Sequence, residues 1–375
     1  MLFVKCAMAG IDITSLSTEQ KIGQLFFIGI PGPGFDEPTR RLIEAIRPGG
    51  VCLFARNIKE LEQTRGLLDG VHGSLEIEPL LSLDQEGGRV DRLRRVLTPM
   101  PAADQLRTAQ DAKELGGIIG EAISLLGFNM DFAPVVDVID ETRKQLINGL
   151  QTRGLGRSKE EVVEMAAAFL TGLKRHGILG CIKHFPGLAA SQVDSHEELP
   201  IVPVTDGEID DVDLYPYRQL LRTNPDVSVM VAHAAYPNTR LQETDDNGKL
   251  LPSSLSRRVV TALLRDDLNF KGVAITDDME MGAIVRNYGM GEACKMAINA
   301  GQDMLAICAS VDAIHEAYEA ISIAVATGEI SEERLNQSVD RILNLKSSIP
   351  VRAAFDGVRL DELSERVKDL NNNLN

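Results

Sequence analysis

Short β-branched apolar runs alternate along this chain with stretches whose apolar positions recur every three or four residues. That alternation predicts parallel strands joined by crossover helices. Eight runs read as strands: 24–30 (QLFFIGI), 50–55 (GVCLFA), 79–84 (PLLSLD), one inside 128–138 (FNMDFAPVVDV), 177–182 (GILGCI), 227–232 (VSVMVA), 272–276 (GVAIT) and 303–308 (DMLAIC). Helical spacing occupies roughly 37–47, 58–70, 108–126, 159–175, 213–222, 254–268, 291–299 and 312–326, with a further helix at 331–346. Ser17 with Gln20, and Ser158 with Glu161, predict capping boxes. Behind the second, Val162, Met165, Ala166, Phe169, Leu170 and Leu173 make one apolar face. Eight parallel strands is the number that closes a (β/α)8 TIM-type barrel. Length alone fits one such barrel or two ordinary domains. Neither an internal repeat nor a linker marks a second domain, so the pattern predicts a single α/β domain over 1–349 and a C-terminal helical extension, the tail 350–375.

Composition narrows the partners. With 39 Lys+Arg against 55 Asp+Glu the net charge is -16, which argues against nucleic acid or an anionic membrane and favours a small neutral substrate. Cys6, Cys52, Cys181, Cys294 and Cys308 are odd in number, lie far apart and form no C-x-x-C pair, as expected of reduced, buried thiols in a cytoplasm. The opening MLFVKCAMAGIDI lacks a basic region followed by a full apolar core, and no apolar run approaches the ~18 residues of a membrane span. The expectation is a cytoplasmic protein, monomeric or weakly homo-oligomeric.

One stretch matches neither a core strand nor an amphipathic helix. Behind the run 177–182, the segment 183–200 (KHFPGLAASQVDSHEELP) packs Lys183, His184, Asp194 and His196 into fourteen residues. In a barrel of this type reactive groups belong at the C-terminal ends of the strands. There the pattern places Asp84 and Arg92 after the third strand, Arg153 after the fourth, Lys183, His184, Asp194 and His196 after the fifth, His233 after the sixth, and Asp277 with Asp278 after the seventh. Each has a bland reading. Asp84 and Arg92 make a surface ion pair, Lys183 snorkels, His184 and His233 are satisfied core histidines, and Asp277-Asp278 cap a helix. Independent bland readings do not predict that all gather at one end of one barrel. Gly87-Gly88 is read as letting backbone pass close to a ligand.

The missing motifs exclude several chemistries. There is no H-E-x-x-H, and Lys183 beside His184 would repel a divalent ion, so no metal or other cofactor is expected. Nor is there a G-x-S-x-G elbow, a P-loop or a G-x-G-x-x-G opening a helix. A carboxylate facing a proton donor remains, which suits displacement at a sugar's anomeric carbon. His196 would be the donor, with Asp194 holding its tautomer.

The segments KHFPG…DSH (183–196), LDQEGGRVDR (83–92), FAPVVDV (132–138) and ITDDMEMGA (275–283) together resemble the family-three glycoside hydrolases, in their bacterial β-N-acetylglucosaminidase (β-hexosaminidase) branch, over about 20–345. The resemblance implies a (β/α)8 barrel that removes terminal β-linked N-acetylglucosamine with retention. In cytoplasmic single-domain members the substrate is typically a fragment of cell-wall (peptidoglycan) turnover. It further implies Asp277 as nucleophile, His196 with Asp194 as acid/base, and Asp84, Arg92, Arg153, Lys183 and His184 as sugar-binding residues. Two departures stand out: Leu155 replaces the aromatic of the family's R-S-[FY] motif, and Leu188-Ala189 replaces the His-Gly that commonly follows Pro-Gly. The absence of Trp and an aromatic content of 4% leave few stacking platforms for a polysaccharide, which favours short, exo-cleaved substrates. A phosphorolytic variant, a glycosidase for another sugar and a non-catalytic sugar-binding barrel stay open as alternatives.

Overall fold

The computed structural model of the protein describes residues 11–192 and 198–374. Eight strands form one parallel sheet: β1 (Phe26–Gly29), β2 (Gly50–Leu53), β3 (Leu80–Leu83), β4 (Met130–Asp131), β5 (Leu179–Phe185), β6 (Ser228–Val231), β7 (Ala274–Asp278) and β8 (Met304–Ile307). Their order is β3-β2-β1-β8-β7-β6-β5-β4. The two ends of that order meet: Asn129 and Phe132 donate backbone hydrogen bonds to the carbonyls of Leu81 and Leu83 (3.0 and 2.9 Å). The sheet is therefore a barrel, as expected, and helices cover its outside.

The fourth strand is only two residues long because Pro134 lacks the N–H that would extend the ladder. Side chains lace that seam instead. Asn129 Oδ1 accepts from the Leu81 amide (2.8 Å), its Nδ2 donates to the Pro79 carbonyl (2.9 Å), and Asp131 Oδ1 accepts from the Gln85 amide (2.9 Å). The fifth strand runs three residues beyond the predicted 177–182 segment, so Lys183 and His184 lie on the strand and are buried. Charged side chains are tolerated there because each finds a partner inside the barrel mouth.

Most helices fall within a few residues of their predicted positions. The second begins at Leu61 rather than 58, and the 254–268 stretch opens as a short 3-10 turn (Ser253–Leu255) and continues as a wide π-helical run (Arg258–Asp267). The Ser17/Gln20 capping box forms. That at Ser158 forms by half: Ser158 accepts from the Glu161 amide (3.2 Å), but Glu161 reaches past it to the Arg157 amide (2.7 Å). After residue 350 the chain builds a helix, Gly357–Leu374, whose Leu360, Leu363, Val367 and Leu370 recur at helical spacing and are buried. It packs on the helix Ala109–Leu126, with Arg359 pairing Glu121 at 2.6 Å.

Cys52, Cys181, Cys294 and Cys308 are free and buried. Among the described residues no helix is long and apolar enough to cross a membrane. Asp303, at the start of β8, accepts from Arg265, Arg334 and Arg341 (2.5, 3.1 and 3.0 Å) and so ties the helix Glu332–Lys346 under the barrel. The same helix buries Lys346, whose Nζ donates to Gln24 Oε1 (2.7 Å). Burial pulls its pKa down to about 7. The folded chain thus binds fewer protons than the unfolded one between pH ~7 and the ordinary lysine value near ~10.4, and stability rises with pH across that window. Wild type should gain a few kcal/mol relative to Lys346→Met as the pH is raised from ~7 to ~10. Urea unfolding of both proteins at the two pH values measures this, and a pH-independent difference would contradict it.

Candidate active site

At the C-terminal mouth of the barrel lies a cavity of 180 Å³ lined by Asp84, Arg92, Arg153, Lys183, His184 and Asp277, together with Phe54, Asn148, Met230, Asp278 and Met281 among others. Six of the eight residues to which the resemblance assigns a role therefore meet in one place. Asp194 and His196 lie outside the described residues.

The cavity wall is a chain of charge-assisted contacts. Asp84, just past β3, accepts from Lys183 Nζ (2.7 Å) and faces Arg92 Nη2 (3.3 Å). Lys183, 1% exposed, also contacts Glu86 Oε1 at 2.6 Å. Glu86 in turn receives a bidentate pair from Arg153 (2.8 and 2.8 Å). Arg153 Nη2 lies 3.4 Å from His184 Nε2, and His184 Nδ1 is 2.8 Å from Asp137 Oδ2. Asp137 also accepts from the Leu188 amide (2.6 Å) and the His184 amide (3.2 Å). It thereby joins the histidine to the loop that follows Pro186-Gly187. A ring that donates Nδ1–H to Asp137 turns Nε2 toward Arg153 Nη2.

These partners control ionisation. Burial alone would push the Asp84 carboxyl up, but Lys183 and Arg92 more than reverse it and hold it well below the ordinary carboxylate range. Glu86 is likewise raised by burial and pulled down further by Arg153 and Lys183, to about 2. Burial opposes the charge on Lys183, yet Asp84 and Glu86 raise its pKa above the usual lysine value. Asp84, Glu86 and Lys183 are therefore all charged near neutrality, and these buried charges are paired as buried charges must be. Asp84, Lys183, Arg92 and His184 present oxygen and nitrogen atoms suited to sugar hydroxyls. Arg92 Nε has no hydrogen-bond partner among the described residues, and its guanidinium lies 5.5 Å from the Phe54 ring centre.

Asp277 enters from the opposite wall on β7, where its Oδ1 accepts from the Asp278 amide (2.9 Å). The helix-cap reading of this pair does not hold: Asp278 Oδ1 accepts from the Glu280 amide (3.1 Å) in a turn, and the next helix, Gly282–Val285, has Met281 at its N-cap with no side-chain cap bond. His233 behaves as the bland reading expected. It is fully buried, with Nδ1 2.6 Å from Ser254 Oγ and Nε2 3.1 Å from the Asp278 carbonyl.

The two glycines after Glu86 have a different purpose from the one predicted. Gly87 and Gly88 have φ +89° and +58°, and a Cβ on Gly87 would sit 2.2 Å from the Pro101 carbonyl oxygen. They are needed because the 100–102 segment packs against this turn. Sequence reasoning passed over Glu86 and Asp137. Glu86 lies two residues past Asp84 and repeats its side of the chain; Asp137 is the acid in the otherwise apolar run 132–138. Among the described residues no group of His, Cys, Asp and Glu has the arrangement to hold a metal ion.

Residues 17–345 match the family described as "Glycosyl hydrolase family 3 N terminal domain". A β-hexosaminidase of Nitrosomonas eutropha is 31% identical over 331 residues, which cover 85% of this chain and 91% of that protein. β-Hexosaminidase A of Pseudoalteromonas piscicida is 29% identical over 334 residues. There the match covers 84% of this chain but 55% of the relative, so the chain spans about half the length of that protein. Among solved structures, a glycoside hydrolase family 3 β-N-acetylglucosaminidase from a Paenibacillus strain superposes with a TM-score of 0.84 at 32% identity, over 95% of this chain and 69% of the other. A match that runs through all eight strands and the cavity they carry means that the chain belongs to glycosyl hydrolase family 3, and that it is a glycoside hydrolase.

Proposed function

We propose that this enzyme is a retaining exo-β-N-acetylglucosaminidase acting on short saccharides, and that its natural substrates are cytoplasmic fragments of cell-wall turnover. Asp277 attacks the anomeric carbon. His196, steadied by Asp194, protonates the departing oxygen and then draws the proton from the water that releases the sugar. Asp84, Arg92, Lys183, His184 and Arg153 hold the ring hydroxyls. The observation that carries the reading is the convergence of Asp277 with these five residues on one sugar-sized cavity. The relatives named above, β-hexosaminidases and a β-N-acetylglucosaminidase, point to the same sugar.

The test is a rate comparison on nitrophenyl β-N-acetylglucosaminide, β-glucoside and β-xyloside, with and without inorganic phosphate. The reading expects the N-acetylglucosaminide to be preferred and free N-acetylglucosamine to be the product in both buffers. Preference for another sugar, or release of a sugar phosphate, would contradict it. A muropeptide digest followed by mass spectrometry tests the natural substrate in the same way.

Asp137 is a positioning residue for this reaction. Its carboxylate is held below the ordinary range: burial opposes ionisation, but the His184 hydrogen bond and charge outweigh it. Asp137→Asn removes a charge-assisted hydrogen bond of ~1.5–3 kcal/mol and frees the imidazole to change tautomer. A fall of ~10–100-fold in kcat/KM on the nitrophenyl N-acetylglucosaminide is expected. An unchanged value would remove Asp137 from the account.

A further inference from the structure

Asp277 and Asp278 are consecutive on β7, and in a regular strand their side chains would point to opposite faces. The pairing of β7 with β8 is not regular. Met304 stands opposite Ile275, but Ala306 stands opposite Asp278, so three steps on β7 are matched by two on β8. The extra residue is a bulge, the device by which a strand re-aims a side chain. As a result both aspartates line the sugar cavity.

The surroundings of Asp278 contain two backbone donors, the Glu280 and Cys308 amides, but no close cation among the described residues. Its Oδ1 accepts from the Glu280 amide at 3.1 Å, its carbonyl accepts from the Met281 amide (3.0 Å) and faces His233 Nε2 (3.1 Å), and its own amide is spent on Asp277. The cations of the cavity are committed elsewhere: Lys183 to Asp84 and Glu86, Arg92 to Asp84, Arg153 to Glu86. Among the described residues neither Asp277 nor Asp278 takes part in an ion pair. The groups around Asp278 are the carboxylates of Asp277, Glu280 and, across the cavity, Asp84, the thiols of Cys52 and Cys308, and the imidazole of His233. Burial lowers the pKa of His233, which keeps that ring neutral.

We propose that Asp278 carries a proton in the working enzyme and serves as a hydrogen-bond donor to the sugar in the cavity, while its neighbour Asp277 acts as the nucleophile. The assignment of Asp277 rests on the proposed function; the proton on Asp278 does not. Two adjacent carboxyls with no cation shared between them among the described residues disfavour ionising together, so one of the pair keeps its proton. Burial pushes Asp278 up to about 7, opposed by the Glu280 amide and reinforced by the charges of Glu280 and Asp277. A protonated carboxyl offers one O–H that a carboxylate lacks. Once Asp278 ionises, that donor is gone and an anion faces the sugar oxygen instead.

Two measurements on Asp278→Asn, which keeps a neutral side chain with an N–H donor, test this. The first uses the dissociation constant of N-acetylglucosamine by calorimetry. In the wild type it should rise by up to ~10-fold per pH unit above about 7, because binding requires the protonated form. In Asp278→Asn that rise should disappear. The same rise in both proteins would overturn the donor role. The second uses thermal melting without ligand and stands apart from any activity. A carboxyl whose folded pKa is raised binds more protons when folded, between the unfolded value near ~3.9 and about 7, so wild-type stability falls as the pH rises through that window. The Tm of Asp278→Asn minus that of wild type should therefore grow between about pH 4.5 and about pH 7.5 and then level off. A difference flat over that range would overturn the proton itself. If N-acetylglucosamine binds to neither protein, it is the proposed sugar that fails, and the melting data still decide the state of Asp278.

Discussion

Asp277→Gly should lower turnover of nitrophenyl β-N-acetylglucosaminide on the order of 10⁴-fold or more while leaving the fold intact. The carboxylate makes no ion pair with the described residues, and its described hydrogen bond is to the adjacent amide, so little packing depends on it. In the proposed mechanism it supplies the electron pair that forms the bond to the anomeric carbon. The glycine variant leaves room for a small external anion where the carboxylate stood. Added azide should then restore a measurable rate and give the α-glycosyl azide, the anomer opposite to the substrate, because a single displacement inverts the centre that the two-step reaction retains. Product analysis by proton NMR reads the anomer directly. Wild-type turnover in this variant would remove Asp277 from the reaction, and a β-azide would contradict the proposed stereochemistry.

The second large effect concerns Lys183→Met. This change takes away the ammonium that lies 2.7 Å from Asp84 and 2.6 Å from Glu86. Both carboxylates would remain in the barrel mouth, each with one counter-charge left among the described residues, Arg92 for Asp84 and Arg153 for Glu86. Removing one partner of a buried ionic network costs ~3–5 kcal/mol, since the surviving charges stay desolvated. A methionine of similar length keeps the volume filled, so the loss reports charge rather than a cavity. Asp84 and Glu86 both have lowered pKa values, so the stability they contribute is present above the ordinary carboxylate range and is lost as the pH falls through their folded values. The gap between Lys183→Met and wild type should accordingly narrow below pH ~4. Urea denaturation at neutral and acidic pH tests both parts, and a neutral-pH cost under ~1 kcal/mol would show that the network is not the buried ionic unit described here.

How much of this was legible beforehand follows from what each residue needs. The eight strands could be read because a parallel strand buried on both faces is a short run of apolar residues, and 50–55 or 227–232 has no competing interpretation. The seam between β3 and β4 was not legible, since the side chains of Asn129 and Asp131 supplement its two backbone hydrogen bonds. Asp84, Lys183, His184 and Asp277 declared themselves as polar groups directly behind apolar runs, and Arg92 as a cation in the loop that follows Asp84. Glu86 and Asp137 did not, because their work is to hold Lys183, Arg153 and His184, and a residue that acts through another carries no motif of its own. The glycine pair 87–88 misled for a related reason: a positive φ needed to pass Pro101 looks, in sequence, the same as one needed to pass a ligand. The bulge that turns Asp278 into the cavity depends on the register between β7 and β8, which only the assembled sheet specifies.

The central claim is that Asp277 becomes bonded to the sugar, and the most direct measurement traps that bond. Incubation with a 5-fluoro β-N-acetylglucosaminyl fluoride, followed by peptic digestion and tandem mass spectrometry, should place one N-acetylglucosaminyl-derived adduct on the peptide containing Thr276-Asp277-Asp278, with the mass carried by Asp277. An adduct on a different residue, or steady turnover of the reagent with no adduct and release of the α-sugar first, would contradict the account.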